Sequence, residues 1–363
     1  MIKSTKRVTA AVPRTDYRST LSGTDVLEIF YDVYETEDLR AVPEVNIVFL
    51  HGTGMTKSIW EWYVKYFHKQ IQANPEKYQY KLGKLIAVDQ VNHGDSCVAN
   101  EGKLGSIFHW IDGSKDIIKI CDVELNPPKQ NSFNVLIGHS MGGHQALGCG
   151  ILSPNLFQLI ITMEPVVKML NPPSPKKITL LSNNYFNAIS NMVQDTFATR
   201  DEYEEFMRKR SFWRNSDKTI LDTFCDAELI KRGSKFHTKT SKEQHLIGYM
   251  CLHPYAYWLI DNLKWIESPV ICYVGGKSKW CPPENYQLLQ DTIPHYKRIQ
   301  IDNVDHLMNI ENPNVIGPML LGHITKKLQS ASVDELHNNR DQFEPLYKEL
   351  VATRVVNKPK SKL

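Results

Sequence analysis

The sequence predicts an α/β protein, with a mostly parallel central sheet and helices on both faces. Two observations lead there. Short β-branched and aromatic runs recur at 25–31, 46–50, 84–88, 134–137, 159–163, 270–274 and 298–301, and those from 46–50 to 159–163 are continuous apolar runs. Most lack the polar alternation of a strand with one wet face, as buried parallel strands require. Stretches of helical length lie between them, such as 58–72 and 112–123, and this alternation implies right-handed βαβ units. In such sheets the site lies beyond the carboxyl ends of the strands.

One segment interrupts the rhythm. From 168 to 267 no strand is evident. It opens on the breaker cluster Asn171-Pro172-Pro173-Ser174-Pro175. Helical patterns follow at 184–197, 201–210, 218–231 and 241–263, with apolar spacing such as Tyr203, Phe206 and Met207. The expected organisation is therefore a core in two parts, 1–167 and 268–330. A helical cap, 168–267, is inserted at the active-site edge, and 331–363 form a last helix and a tail.

Gly138-His139-Ser140-Met141-Gly142-Gly143 follows an apolar strand and precedes a helix-compatible stretch, the context a G-x-S-x-G turn needs. A sharp strand-to-helix turn exposes the Ser140 hydroxyl in a strained conformation, and glycines flank it where side chains would strike backbone. His51-Gly52-Thr53-Gly54 follows the strand ending at Leu50. Its Thr53 N–H, with that of Met141, is the expected oxyanion hole. His306 follows the last strand and is the expected general base.

The acid requires a choice. After the strand 270–274, where it conventionally sits, the sequence reads Gly275-Gly276-Lys277-Ser278-Lys279-Trp280. Ser278 occupies that slot and cannot balance an imidazolium as a carboxylate does. Glu164 ends the preceding strand, 24 residues after Ser140, and Pro165 then turns the chain. The order Ser140, Glu164, His306 keeps the nucleophile–acid–base order of this architecture. Asp305, adjacent to the base, is poorly placed to orient it.

These residues resemble the α/β-hydrolase superfamily from about 26 to 327. Members with the acid after the sixth strand share the 24-residue spacing. Within the superfamily the chain is similar to the fungal peroxisomal lipases, on the stretches Asp89-Gln90-Val91-Asn92-His93-Gly94-Asp95-Ser96, Trp110-Ile111-Asp112-Gly113, Met163-Glu164-Pro165-Val166-Val167 and Trp280-Cys281-Pro282-Pro283. The resemblance implies an α/β-hydrolase fold and a serine lipase or esterase of the peroxisomal matrix, acting on triacylglycerol or another acyl ester. Asp95 and Asp112 read as loop-fixing residues.

The chain of 363 residues ends in Ser361-Lys362-Leu363, a tripeptide read by the peroxisomal import receptor at a free carboxyl end. No secretory leader follows Met1, and no apolar run reaches the roughly 18 residues of a membrane helix. The seven cysteines are widely spaced without a CxxC pair, which signals neither a zinc site nor a disulfide framework. A net charge of +3 gives no case for nucleic acid. No cofactor or metal motif is present. Two other readings use the same residues. One is an acyltransferase or acyl-CoA thioesterase, with Lys168, Lys176, Lys177, Lys277 and Lys279 available to meet phosphates. The other is an inactive binding protein, suggested by Ser278 alone.

Overall fold

The computed structural model describes residues 1–126, 129, 131–169, 183–252, 256–330 and 340–356. The Ser361-Lys362-Leu363 tail and the cluster 171–175 lie outside them. Met1–Leu321 form one compact unit. The second unit starts at Gly322, and its described part is the end of a helix, Pro313–Ser330, and a further helix, Arg340–Val356.

The first unit is built on an eight-stranded sheet. Its strands are β1 (Ile2–Thr9), β2 (Glu28–Glu35), β3 (Glu44–Leu50), β4 (Lys81–Val88), β5 (Ser132–His139), β6 (Leu159–Met163) and, beyond the insertion, Val270–Gly275 and Tyr296–Ile301. In spatial order they run β1, β2, β4, β3, β5, β6, Val270–Gly275, Tyr296–Ile301. β1–β2 and β2–β4 are antiparallel, and every later pair is parallel. The predicted fold class is therefore the observed one.

Each central strand takes its place from composition. Val135, Leu136, Ile137 and the whole of Leu159–Met163 are buried, because helices cover both faces and the run is almost wholly apolar. α1 (Glu61–Ala73), α2 (Gly94–Ala99), α3 (Trp110–Glu124) and α4 (Met141–Leu152) supply the early crossovers. α1 is preceded by a 3-10 turn, Lys57–Trp60, so the predicted helix 58–72 divides in two. β1 was not predicted. Its burial alternates between exposed and half-buried along most of its length, and six of its eight residues are Lys, Ser, Thr or Arg. It is an edge strand with charges on it, as edges exposed to water usually are.

The insertion is not purely helical, which corrects the sequence reading. It holds α5 (Asn183–Asn191), β7 (Thr196–Phe197), α6 (Arg200–Lys209), α7 (Lys218–Glu228), β8 (Leu229–Arg232), β9 (Lys235–Thr238), α8 (Lys242–Met250) and α9 (Ala256–Asn262). β7, β9 and β8 form a small antiparallel sheet. The patterns 184–197 and 218–231 each run from a helix into one of its strands. A two-residue strand and a four-residue strand ending in Lys231 and Arg232 are too short to show a period of two.

After the insertion come β10 (Val270–Gly275), α10 (Pro283–Thr292), β11 (Tyr296–Ile301), α11 (Met308–Glu311), α12 (Pro313–Ser330) and α13 (Arg340–Val356). The insertion meets the carboxyl edge of the sheet through polar contacts. Trp110 Nε1 donates to the Gly248 carbonyl, the Gly94 N–H donates to Thr240 Oγ1, and the Asp217 N–H donates to the Ile310 carbonyl. Beneath it Lys57, buried, pairs with Asp89 at 2.8 Å and with Asp95, which Lys239 of the insertion also meets. Asp112 accepts from Thr15 N at 2.9 Å and holds the N-terminal segment. Both aspartates thus fix loops, as read from the sequence.

Candidate active site

β3, β5 and β6 are neighbours in the sheet, so the loops after Leu50, His139 and Met163 open side by side. Ser140 joins β5 to α4 with φ 53° and ψ −114°. Such a conformation costs a non-glycine residue about 1–3 kcal/mol and persists only where its surroundings impose it. They do so here: Ser140 N–H donates to the Met163 carbonyl at 2.9 Å, and the Ser140 carbonyl accepts from His144 N–H at 3.1 Å. The flanking glycines are required sterically. A Cβ on Gly138 would lie 2.2 Å from the Gly142 carbonyl oxygen, and one on Gly142 would lie 2.4 Å from that of Leu50.

The structure brings together all three residues predicted for the chemistry. His306 Nε2 lies 3.2 Å from Ser140 Oγ, and His306 Nδ1 lies 3.3 Å from Glu164 Oε2. Glu164 follows β6 with φ 49°, which swings its side chain out of the ladder. Its carboxylate is fully buried and heavily solvated by protein. Oε1 accepts from Gly275 N–H at 2.7 Å. Oε2 also accepts from Ser278 Oγ at 2.7 Å and Tyr286 OH at 2.7 Å. Burial alone would raise its pKa, but the hydrogen bonds from His306, Ser278 and Tyr286 outweigh it and hold the carboxyl below its ordinary range. Tyr286, pushed upward chiefly by burial, stays a donor.

His306 is held from its backbone as well. Its N–H donates to Asp305 Oδ1 at 2.7 Å, and its carbonyl accepts from His139 Nε2 at 2.9 Å. Asp305 therefore ties the loop and does not face the imidazole Nδ1. Burial pushes His139 down to about 3, so it is neutral and its Nε2 carries the proton. Thr53 and Met141, the predicted oxyanion pair, are brought into contact, with Thr53 Oγ1 donating to Met141 Sδ at 3.5 Å. Met141 opens α4, where the first N–H groups have no helical partner. Thr53 is followed by Gly54, whose N–H donates to His93 Nε2 at 3.1 Å.

A pocket of about 250 Å³ opens over Ser140 and His306. Ile189, Met192, Phe212 and Tyr249 of the insertion and Met55 and Leu307 of the core give it an apolar wall. Among the described residues no group of His, Cys, Asp and Glu side chains could hold a metal ion, and all seven cysteines are free and buried. The sequence reading missed Tyr286, the bond from Ser278, and the stacking of Trp280 on His306. Nothing local marks them, although Trp280 stands in one of the stretches that carried the resemblance.

A doubly wound sheet with a serine elbow, a histidine after its last strand and a buried glutamate between them defines the class. The model of the "Alpha/beta hydrolase family" matches residues 47–316. The chain is 39% identical over 356 residues to "Peroxisomal membrane protein LPX1" of Saccharomyces cerevisiae, covering 92% of this chain and 91% of that one. The solved peroxisomal alpha-beta-hydrolase Lpx1 of the same yeast aligns with a TM-score of 0.85 at 35% identity, over 99% of both chains. A type I acyl-CoA thioesterase, mpaH', of Penicillium brevicompactum is 27% identical over 160 residues, 43% of this chain and 34% of that one. The chain belongs to the alpha/beta hydrolase family, and the peroxisome is its compartment. Among the described residues no helix is long and apolar enough to cross a membrane.

Proposed function

We propose that the protein is a serine hydrolase of carboxylic esters, acylglycerols or other acyl esters, in the peroxisomal matrix. The observation that carries this reading is the continuous line from Ser140 Oγ through His306 to Glu164 Oε2, with contacts of 3.2 and 3.3 Å. Such contacts are commonly loose without substrate and tighten when it binds.

His306 Nε2 takes the proton of Ser140 Oγ as that oxygen attacks the ester carbonyl. The oxyanion is received by the N–H groups of Thr53 and Met141. The imidazolium, oriented by Glu164, then protonates the leaving alkoxide. Water repeats the sequence on the acyl-enzyme and releases the acid. The apolar wall contributed by residues 168–267, which we assign as a cap on the core 1–167 and 268–330, receives the acyl chain. Import follows from recognition of Ser361-Lys362-Leu363 by the peroxisomal receptor.

A second reading, acyl-CoA thioesterase, is supported by the partial likeness to mpaH'. It uses the same triad with a thiolate leaving group. Lys277 and Lys279 are exposed on the loop that carries Trp280, while Lys176 and Lys177 lie outside the described residues. Rates on glyceride esters and acyl-CoA of matched chain length, in wild type and Ser140→Ala, separate the two. The ester reading expects faster Ser140-dependent turnover of the glyceride. Faster turnover of acyl-CoA replaces it with the second reading, and no Ser140-dependent turnover of either contradicts both.

A further inference from the structure

We infer that Trp280 is a positioning residue for His306, holding the imidazolium formed during turnover against the face of its indole. The inference rests on the serine-hydrolase reading above. The two rings stack with centroids 4.9 Å apart and planes 23° from parallel. A cation within about 6 Å of an indole face is attracted by the ring quadrupole, more strongly where water is excluded. His306 is only 8% exposed.

The indole is fixed from both sides of the site. Trp280 N–H donates to Ser278 Oγ at 3.3 Å, so the serine that bonds Glu164 also sets the backbone of Trp280. Tyr249 of the insertion meets the indole edge-on at 6.1 Å, and its hydroxyl donates to the Thr53 carbonyl at 3.4 Å. Core and insertion therefore hold the indole on the imidazole together.

The polar groups facing His306 leave this role open. Glu164, itself bonded by Tyr286, balances charge at Nδ1, and Ser140 sits at Nε2. Asp305 is bound to the backbone N–H of His306. His139, from the end of β5, lies ring to ring at 5.0 Å and is neutral, so it brings no balancing charge. Arg214 and Glu311 line the pocket that His306 opens into, and the indole stacks on the face of its ring.

The sign of one effect separates attraction from plain packing. An apolar wall that only excluded water would make the imidazole harder to protonate, so removing it would raise the base's midpoint. An indole that attracts the cation does the reverse. The test is the rate of Ser140 labelling by diisopropyl fluorophosphate as a function of pH, in wild type, Trp280→Phe and Trp280→Leu, each first checked for folding by circular dichroism. The probe needs no knowledge of the substrate. In Trp280→Leu the acidic limb is expected to move about half to one pH unit lower. Trp280→Phe, which keeps a ring of weaker quadrupole, should fall between. A limb that stays in place or moves upward in both variants overturns the inference, even if the rate falls. Absence of Ser140 labelling in wild type instead overturns the hydrolase reading on which it stands.

Discussion

Ser278 Oγ donates a hydrogen bond to Glu164 Oε2 at 2.7 Å, across 114 residues of sequence. The serine stands where this architecture conventionally carries its acid, and Glu164, the acid we propose, ends the neighbouring strand. β6 and β10 are adjacent and parallel, with Met163 in register with Tyr273. A carboxylate placed after either strand reaches the same space. The missing acid after β10 is therefore compatible with the proposed acid after β6, and Ser278 by itself does not argue for an inactive binding protein.

Unequal costs for the two residues follow. Glu164→Ala removes the carboxylate on His306 Nδ1 and should lower kcat by about 10³–10⁴-fold. Glu164→Gln, which preserves shape, should lose nearly as much by losing the charge. Ser278→Ala leaves the carboxylate with Gly275, Tyr286 and His306 and should cost about 3–10-fold. Steady-state kinetics on one ester, with folding verified, makes the comparison, and equal losses would reject Glu164 as the acid.

The elbow makes a stability prediction as well. In Gly142→Ala the new methyl would lie 2.4 Å from the Leu50 carbonyl oxygen. Both groups are backbone-anchored, so α4 must shift from β3. Urea unfolding should show a loss of about 2–4 kcal/mol, together with slower labelling of Ser140. An unchanged midpoint would mean that the elbow is looser than drawn.

Glu228 predicts a pH dependence. Its carboxyl is buried at the end of α7, and Oε1 accepts from Thr240 N–H at 2.7 Å, while Oε2 has no partner among the described residues. Burial pushes its pKa up to about 7. The folded state therefore binds the proton more tightly than the unfolded chain. The resulting stabilisation is complete below the ordinary carboxyl range, near 4.5, and is lost as pH rises through about 7. Wild type should lose roughly 1–3 kcal/mol between pH 5 and 8 relative to Glu228→Gln. Urea titrations of both proteins at the two pH values check this, and parallel pH profiles would refute it.

Legibility followed the range of the interactions. Ser140 was readable because a strand, a turn and two glycines lie within a few residues. His306 and Glu164 were readable because strand ends can be located from apolar runs, and the sheet brings strand ends together. Tyr286 was not: its bond to Glu164 spans 122 residues, and its helix begins at an ordinary proline. β1 was not, since an edge strand paired on one side needs few apolar residues. The small sheet of the insertion was hidden because β7 and β8 continue helical patterns with no breaker between them.

The most direct test of the central claim is intact-mass analysis of wild type and Ser140→Ala after exposure to a fluorophosphonate probe. Only a serine activated by its neighbours reacts readily. Wild type should gain one adduct, mapped to Ser140, and the variant should gain none. Equal labelling of both, or none in folded wild type with and without detergent, would contradict the assignment of Ser140 as the nucleophile.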